Sequence, residues 1–420
     1  MKMKNIVLIA GIVLGLASCS KTTYNSIANP AYFRVFNSLN YTVDITTKDQ
    51  PQPFLAMVVD PEFDKSGVVT GGKLLGDFLD KRGPFAAPFP VGSPDYKTHE
   101  YPGTAKVLVG PVLNGINLSS WAQIPSGKHR LVFYIRPVNS TPFFSLDARD
   151  RQLVMVDSTV DLTAGEVYTM EVLQKTTKAR PPVPVELYVR TEQFTKTPFN
   201  DTLLYVNFYN LSAEGYAAAN PNPIDPNYYT TASNMTPAFG DTMNLTYSLY
   251  KDDLPYPLNI SSHVGTDLIN GYNLVWLGSV VRSHSDKVAP YYSIPMFAAT
   301  DTTGGILSTQ WEMFVLTAPG YSATAGQQPF PGLGPVGASP AYGIIGCSNL
   351  ANDGKYSTIT PPFDINYSYL ASTWLPNLIN YTASGTHKQQ SFATISSIEI
   401  INGFVYMTSV QRTYPPPVNN

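Results

Sequence analysis

The sequence predicts an all-β chain built from two tandem β-sandwich units, with long loops and little helix. Three observations carry this expectation. The 420 residues exceed what one hydrophobic core usually holds, roughly 250–300 residues, so two units are the default. Thirty glycines and 36 prolines punctuate the chain, and 27 tyrosines and 20 phenylalanines fill the segments between them. That mixture disfavours long helices and favours short strands joined by turns. Finally, apolar residues recur at every second position in several segments. Examples are Leu39-Asn40-Tyr41-Thr42-Val43-Asp44-Ile45 and Met243-Asn244-Leu245-Thr246-Tyr247-Ser248-Leu249. Period two is the mark of a half-buried strand.

Charge narrows the function classes. Only 14% of residues are charged and the formal net charge is −3. A weakly acidic chain has no electrostatic footprint for nucleic acid. So few charges also disfavour a solvating tail or a charge-laced coiled coil.

In chain order, Lys2 and Lys4 precede a short apolar stretch, Ile6 to Ala17, which is too short to span a bilayer comfortably. Leu16-Ala17-Ser18-Cys19 follows and resembles the lipobox of bacterial lipoproteins. The resemblance implies that residues 1–19 are a lipoprotein signal peptide and that the Cys19 thiol is diacylated after cleavage. Each buried CH₂ of an acyl chain contributes about 0.8 kcal/mol, so several chains anchor stably. Ser20, where an aspartate would imply inner-membrane retention, points to the outer membrane. Membrane lipid is therefore an expected partner. Residues 20–30 read as a polar tether. Cys347, the second of two cysteines, then has no partner for a disulfide and reads as a small buried strand residue.

The first sandwich is expected over 31–191, a polar linker over 192–200, a second, larger sandwich over 201–414 and a Pro-rich tail over 415–420. Internal similarity supports the division. Tyr32-Phe33-Arg34-Val35-Phe36-Asn37 parallels Tyr205-Val206-Asn207-Phe208-Tyr209-Asn210, each ending in a turn-forming asparagine. Leu39 to Ile45 parallels Met243 to Leu249. Val160 to Tyr168 parallels Ile398 to Tyr406, each with a glycine turn, Gly165 or Gly403, three residues before a tyrosine. That spacing suits a tyrosine corner, in which Tyr168 or Tyr406 returns its hydroxyl to upstream backbone and fixes a Greek-key crossing of an immunoglobulin-like sandwich. Gly83 to Gly103 and Pro319 to Gly343 read as long loops. Leu74, Leu75, Phe78 and Leu79 share one helical face, so Gly72 to Gly83 is expected to hold a short helix, and Ser368 to Asn380 another.

The lipobox, the strand at Tyr32 to Asn37, the segment Pro125-Ser126-Gly127-Lys128-His129-Arg130-Leu131 and the corner at Leu162 to Tyr168 together resemble envelope lipoproteins of the Bacteroidota type. Their immunoglobulin-like modules are those of domain of unknown function 4397. The resemblance implies an extracytoplasmic binding or structural module with no catalytic residues to carry over. Two neighbouring readings are a glycan-binding accessory lipoprotein of a polysaccharide uptake system and a fimbrillin-like pilus subunit. Against the latter, Pro415-Pro416-Pro417 denies three backbone donors to a C-terminal donor strand.

Candidate chemistry is sparse. The five histidines, His99, His129, His263, His284 and His387, show no metal-ligand spacing, and no Cys-x-x-Cys occurs. No metal or cofactor is expected. No Gly-x-Ser-x-Gly elbow, phosphate loop or paired carboxylate constellation stands out, so no catalytic activity is expected. Flat aromatic rings beside amides suit sugar binding, which singles out Tyr228 and Tyr229 in an Asn/Pro-rich stretch, and Tyr291 and Tyr292. The partner expected beyond lipid is a glycan or another envelope protein. Trp121, Trp276, Trp311 and Trp374 read as core or rim anchors.

Overall fold

The computed structural model describes residues 27–39, 53–82, 100–103, 105–177, 184–200, 203–219, 241–252, 271–272, 275–285, 287–295, 309–317, 342–347, 378–383, 386–391, 394–402 and 404–411. The first unit comprises β1 (Pro30–Asn37), β2 (Leu55–Val59), β3 (Glu62–Phe63), β4 (Val69–Gly71), β5 (Leu74–Leu79), β6 (Glu100–Tyr101), β7 (Val112–Leu113), β8 (Ile116–Asn117), β9 (Ala122–Pro125), β10 (Gly127–Ile135), β11 (Val154–Leu162), β12 (Val167–Gln174) and β13 (Val185–Glu192). The second comprises β14 (Leu203–Asn210), β15 (Thr242–Asp252), β16 (Val275–Val281), β17 (Tyr292–Pro295), β18 (Thr309–Thr317), β19 (Tyr342–Cys347), β20 (Leu378–Ala383), β21 (Thr386–Ser391), β22 (Thr394–Ile401) and β23 (Phe404–Gln411). Among the described residues, helix is confined to two 3-10 turns and one α-helical turn at Tyr216–Ala219. The chain is all-β, as its composition predicts.

Each unit is a pair of sheets, of five and four strands in the first and of four each in the second. In the first, one sheet runs β13-β12-β1-β6, with β9 also on β1, and the other runs β11-β10-β2-β5. Alternate residues of β1, Phe33 and Val35, meet Met57, Leu131, Phe133 and Met170 in one core drawn from both sheets. In the second, β17-β14-β22-β23 faces β16-β15-β18-β19, and Val206, Phe208, Leu245 and Ile398 share a core. Burying each such side chain contributes roughly 1.5–3 kcal/mol, which is why the period-two pattern fixes these strands.

The two units share an unusual connection. β1 lies parallel to β12, and β14 lies parallel to β22. Asn37 pairs with Val172, and Asn210 with Ile400. Both asparagines also accept the backbone N–H two residues on, from Leu39 and Ser212. The aromatic strand ending at asparagine is thus one repeated device, a strand closed by a side-chain turn.

The other two parallels align differently. The strand following β1 is β2, so β15 corresponds to β2; the expected match, Leu39 to Ile45, lies outside the described residues beyond Leu39. By topology the counterpart of β22 is β12, so Val160–Tyr168 and Ile398–Tyr406 are one strand out of step. The true correspondence is Thr169-Met170-Glu171-Val172-Leu173 with Ser397-Ile398-Glu399-Ile400-Ile401, which makes Tyr188 the counterpart of Tyr406.

The helix expected over Gly72 to Gly83 is instead β5, paired with β2. The register slips between Leu55 and Met57, opposite which Phe78 takes a left-handed φ of 61°. An irregular strand breaks strict alternation, and here its apolar residues mimic a helical stripe. The expected helix over Ser368 to Asn380 falls outside the described residues except for Leu378–Asn380, which open β20. The linker over 192–200 is not merely polar: Phe194 is buried against Trp121, with ring centroids 5.5 Å apart.

Candidate functional site

Both faces of the inner sheets are buried, and this builds the most distinctive site. On β1, β12 and β13, the residues that turn away from the first core are Arg34, Phe36, Glu171, Leu173, Tyr188 and Arg190, all buried. On β14, β22 and β23 their opposite numbers include Tyr209, Glu399, Ile401 and Tyr406, also buried. Leu173, Tyr188, Tyr209, Ile401 and Tyr406 pack as one cluster, and Tyr32, Trp121 and Phe194 pack with Ile395 and Val410 in another. The two sandwiches therefore meet face to face through their inner sheets.

Six charges lie in this seam. Arg190 contacts Glu399 across it, and reaches Glu171 at 3.2 Å and Glu192 at 3.0 Å within its own unit. Arg82 contacts Glu399 and lies 3.4 Å from Glu171. Its Nε and Nη2 have no hydrogen-bond acceptor; its guanidinium instead lies 3.9 Å from the Phe36 ring centre and 4.7 Å from that of Tyr406. Arg34 donates to Thr169 at 3.0 Å and to Thr408 of the second unit at 3.2 Å, and stacks over Trp121. Three arginines balance three glutamates.

Burial alone would raise the Glu399 carboxyl, but Arg190, Arg82 and Arg34 outweigh it and hold the group at about 2. Glu171, equally buried, is pushed up from the usual carboxylate range by desolvation and by the charge of Glu399. Strongly shifted carboxylates mark active sites when they line a cleft. These line a packed seam between sheets, where their chemistry is to hold arginines.

The tyrosine corners separate. Tyr168 accepts a 2.9 Å hydrogen bond from the Thr163 backbone N–H, across a turn in which Gly165 has φ +77°. Tyr406 makes no such bond: its hydroxyl is buried without a hydrogen-bond partner, its ring lies against Arg82, and Gly403 lies outside the described residues. A second corner of the Tyr168 kind stands elsewhere, where Tyr205 accepts from the Asn200 N–H at 2.8 Å. Tyr168→Phe is therefore expected to lower stability by about 1–2 kcal/mol by orphaning a backbone donor, while Tyr406→Phe leaves it unchanged or raises it. Urea unfolding midpoints of the two variants check this; equal losses would contradict it.

Tyr228, Tyr229 and the lipidation residue Cys19 lie outside the described residues. Tyr291 stands edge-on to Phe199 with a buried hydroxyl, and burial drives that hydroxyl far above the usual phenol range. Tyr292 packs towards Phe208 in the second core. Both rings serve packing. Trp121 is buried as expected, whereas Trp276 is 56% exposed on β16 and so is no core anchor. Asp147 precedes a 3-10 turn, Ala148–Arg151, that contains Asp150, and no cluster of three metal-ligating side chains exists among the described residues.

One histidine clasps the seam's rim. His284 Nδ1 meets the Glu186 carboxylate of β13, and Nε2 meets the Leu211 and Ser212 carbonyls at 2.9 and 3.1 Å. All three partners only accept, so the site favours the cationic ring with a proton on each nitrogen. Burial alone would lower its pKa, but Glu186 and the carbonyls raise it, while His284 in turn lowers Glu186. Lys175, 4.0 Å from Glu186, and Tyr188, whose ring is 6.5 Å from the imidazole, complete the surroundings. A raised histidine adds stability that is fully present below its unfolded value, about 6.5, and is lost as pH rises through the folded value. The stability advantage of wild type over His284→Gln is thus expected to shrink as pH rises from the acid side of neutrality into the alkaline range. Urea titrations across that range check it; a constant difference would contradict it.

No protein-family model matches the chain, and no curated protein matches it. Among solved structures, a streptococcal virulence factor described as binding alpha-glucan is 8% identical over 69% of this chain and 80% of its own, with a TM-score of 0.14. A protein provisionally described as a cell adhesion protein, from Bacteroides uniformis, is 10% identical over 92% of this chain and 100% of its own, with a TM-score of 0.15. One provisionally described as polysaccharide binding, from Bacteroides thetaiotaomicron, is 10% identical over 91% and 98%, with a TM-score of 0.12.

Proposed function

We propose that the chain is a lipid-anchored module of a bacterial outer membrane that binds or holds another envelope component and catalyses nothing. The observation that best supports the non-catalytic part of this reading is where the strongly shifted carboxylates of the described residues lie. Glu171 and Glu399 are fully buried and engaged by arginines, beyond reach of a substrate. General acid–base chemistry needs such a group within hydrogen-bond reach of the substrate. Two sandwiches fused through a packed seam make a stiff body suited to presenting an outer face.

In the same reading, the resemblance of Leu16-Ala17-Ser18-Cys19 to a lipobox supplies the address, and acylated Cys19 supplies the lipid partner. The units are then those of the Bacteroidota envelope lipoproteins that the sequence resembles. Cys19→Ala is expected to release the protein from outer membranes, because acyl chains are the anchor in this reading. Cell fractionation and blotting check it. A variant retained as firmly as wild type would overturn the lipoprotein reading.

A further inference from the structure

We propose that the outward face of β15 and β16 binds a neutral glycan, with Trp276 as its stacking platform; the proposal rests on the binding-module reading above. Trp276 is 56% exposed, against 1% for Trp121. Indoles are large and usually well buried, so one left in water on a strand needs a reason.

The position is built, not incidental. β16 pairs antiparallel with β15, and the register slips: Leu245 faces Gly278 and Thr246 faces Trp276, leaving Leu277 as the extra residue. A bulge of this kind re-aims a side chain and recurs beside functional sites. Next to it, a Cβ on Gly278 would lie 2.5 Å from the Tyr292 hydroxyl. The absent side chain lets Tyr292 press against the strand from the core, where it packs with Phe208. Backbone beside the bulge is thereby held, and the indole with it.

Asn244 and Ser279, opposite one another in the ladder, are joined by a Ser279 hydroxyl donating to Asn244 Oδ1 at 3.3 Å. Arg282 and Asp241, at the strand ends, neutralise each other at 3.1 Å. Among the described side chains of this face, an aromatic ring, an amide and a hydroxyl beside a neutralised ion pair match a pyranose. Its C–H face lies on the ring, and its hydroxyls exchange hydrogen bonds with the polar pair. A charged polysaccharide would require unpaired basic side chains, and an apolar protein partner an unbroken apolar stripe that Ser279 interrupts.

The test uses the full chain in detergent micelles. It is mixed with a panel of insoluble and soluble neutral polysaccharides, and binding is followed by depletion and by tryptophan fluorescence. At least one member should bind, shift the emission to the blue and bind as well at high salt as at low salt. Trp276→Ala should weaken that binding about tenfold or more, and Trp276→Phe distinctly less, since an exposed ring is being truncated or kept. Unfolding midpoints equal to wild type show that both variants are folded. Absence of binding across the panel, binding that salt abolishes, or wild-type affinity in a folded Trp276→Ala would each overturn the proposal. Any of these with Cys19-dependent membrane retention intact removes the glycan site and leaves the anchored module standing.

Discussion

Glu399→Gln is expected to destabilise the chain by about 3–5 kcal/mol, the largest loss of any single isosteric change in the seam. The substitution preserves shape and one carbonyl oxygen but removes the charge between Arg82 and Arg190. Both guanidiniums are fully buried. Arg82 is the more exposed to the loss electrostatically, because its remaining carboxylate, Glu171, sits 3.4 Å away and two of its nitrogens already lack acceptors. Removing one member of a buried ion set costs far more than the set contributes overall, since the desolvated partners stay behind. Urea denaturation of the purified chain reads the difference as a lower midpoint with an unchanged slope. In wild type the Glu399 contribution is fully present above the ordinary carboxylate range, declines as pH falls below it, and is gone once pH has fallen through about 2. Acid titration should therefore narrow the advantage of wild type over Glu399→Gln progressively from the ordinary carboxylate range downward. A Glu399→Gln variant within about 1 kcal/mol of wild type would mean that the six charges are not mutually dependent.

How much of this could be read from the sequence depends on which face of a strand one considers. One core face was legible because alternation exposes it: Met243, Leu245, Tyr247 and Leu249 fall where period two puts them, whereas Tyr32 to Phe36 and Tyr205 to Tyr209 carry apolar residues on both faces and were legible only as strands. The seam was not legible, because Arg34, Glu171, Arg190 and Glu399 read as ordinary solvated positions on half-buried strands. Only a second sheet laid on that face buries them, and period two is silent about what covers the other side. One signal did exist. Thr169-Met170-Glu171-Val172-Leu173 and Ser397-Ile398-Glu399-Ile400-Ile401 place a glutamate at the same point of two otherwise apolar strands. The glycine turns at Gly165 and Gly403 lie one strand out of step with each other, which masks this match in the sequence. Trp276 was likewise invisible, since exposure at a bulge depends on a register slip that composition does not record.

Either unit expressed alone is expected not to fold stably, although each has its own core and an intact pair of sheets. The seam supplies the reason. Separating the units would uncover Tyr209, Leu211, Ile395, Ile401, Tyr406 and Val410 on the second unit, all buried at present. At roughly 1.5 kcal/mol for each apolar side chain, this removes about 9 kcal/mol of burial, comparable to the whole stability of an ordinary domain, 5–15 kcal/mol. Glu399 would gain water but lose three arginines, and on the first unit Arg82 and Arg190 would lose their shared carboxylate. The Phe194 turn, wedged against Trp121, would lose Ile395 and Val410 beside it. The full chain should accordingly unfold in one cooperative step, with calorimetric and van't Hoff enthalpies equal, while residues 20–200 or 201–420 alone should show poorly dispersed amide spectra and no cooperative melt. Two separate transitions in the full chain, or a sharp melt in either half near the full-length midpoint, would instead make the seam a docking surface between independent domains. The ionic set would then serve to orient the two sandwiches rather than to stabilise them.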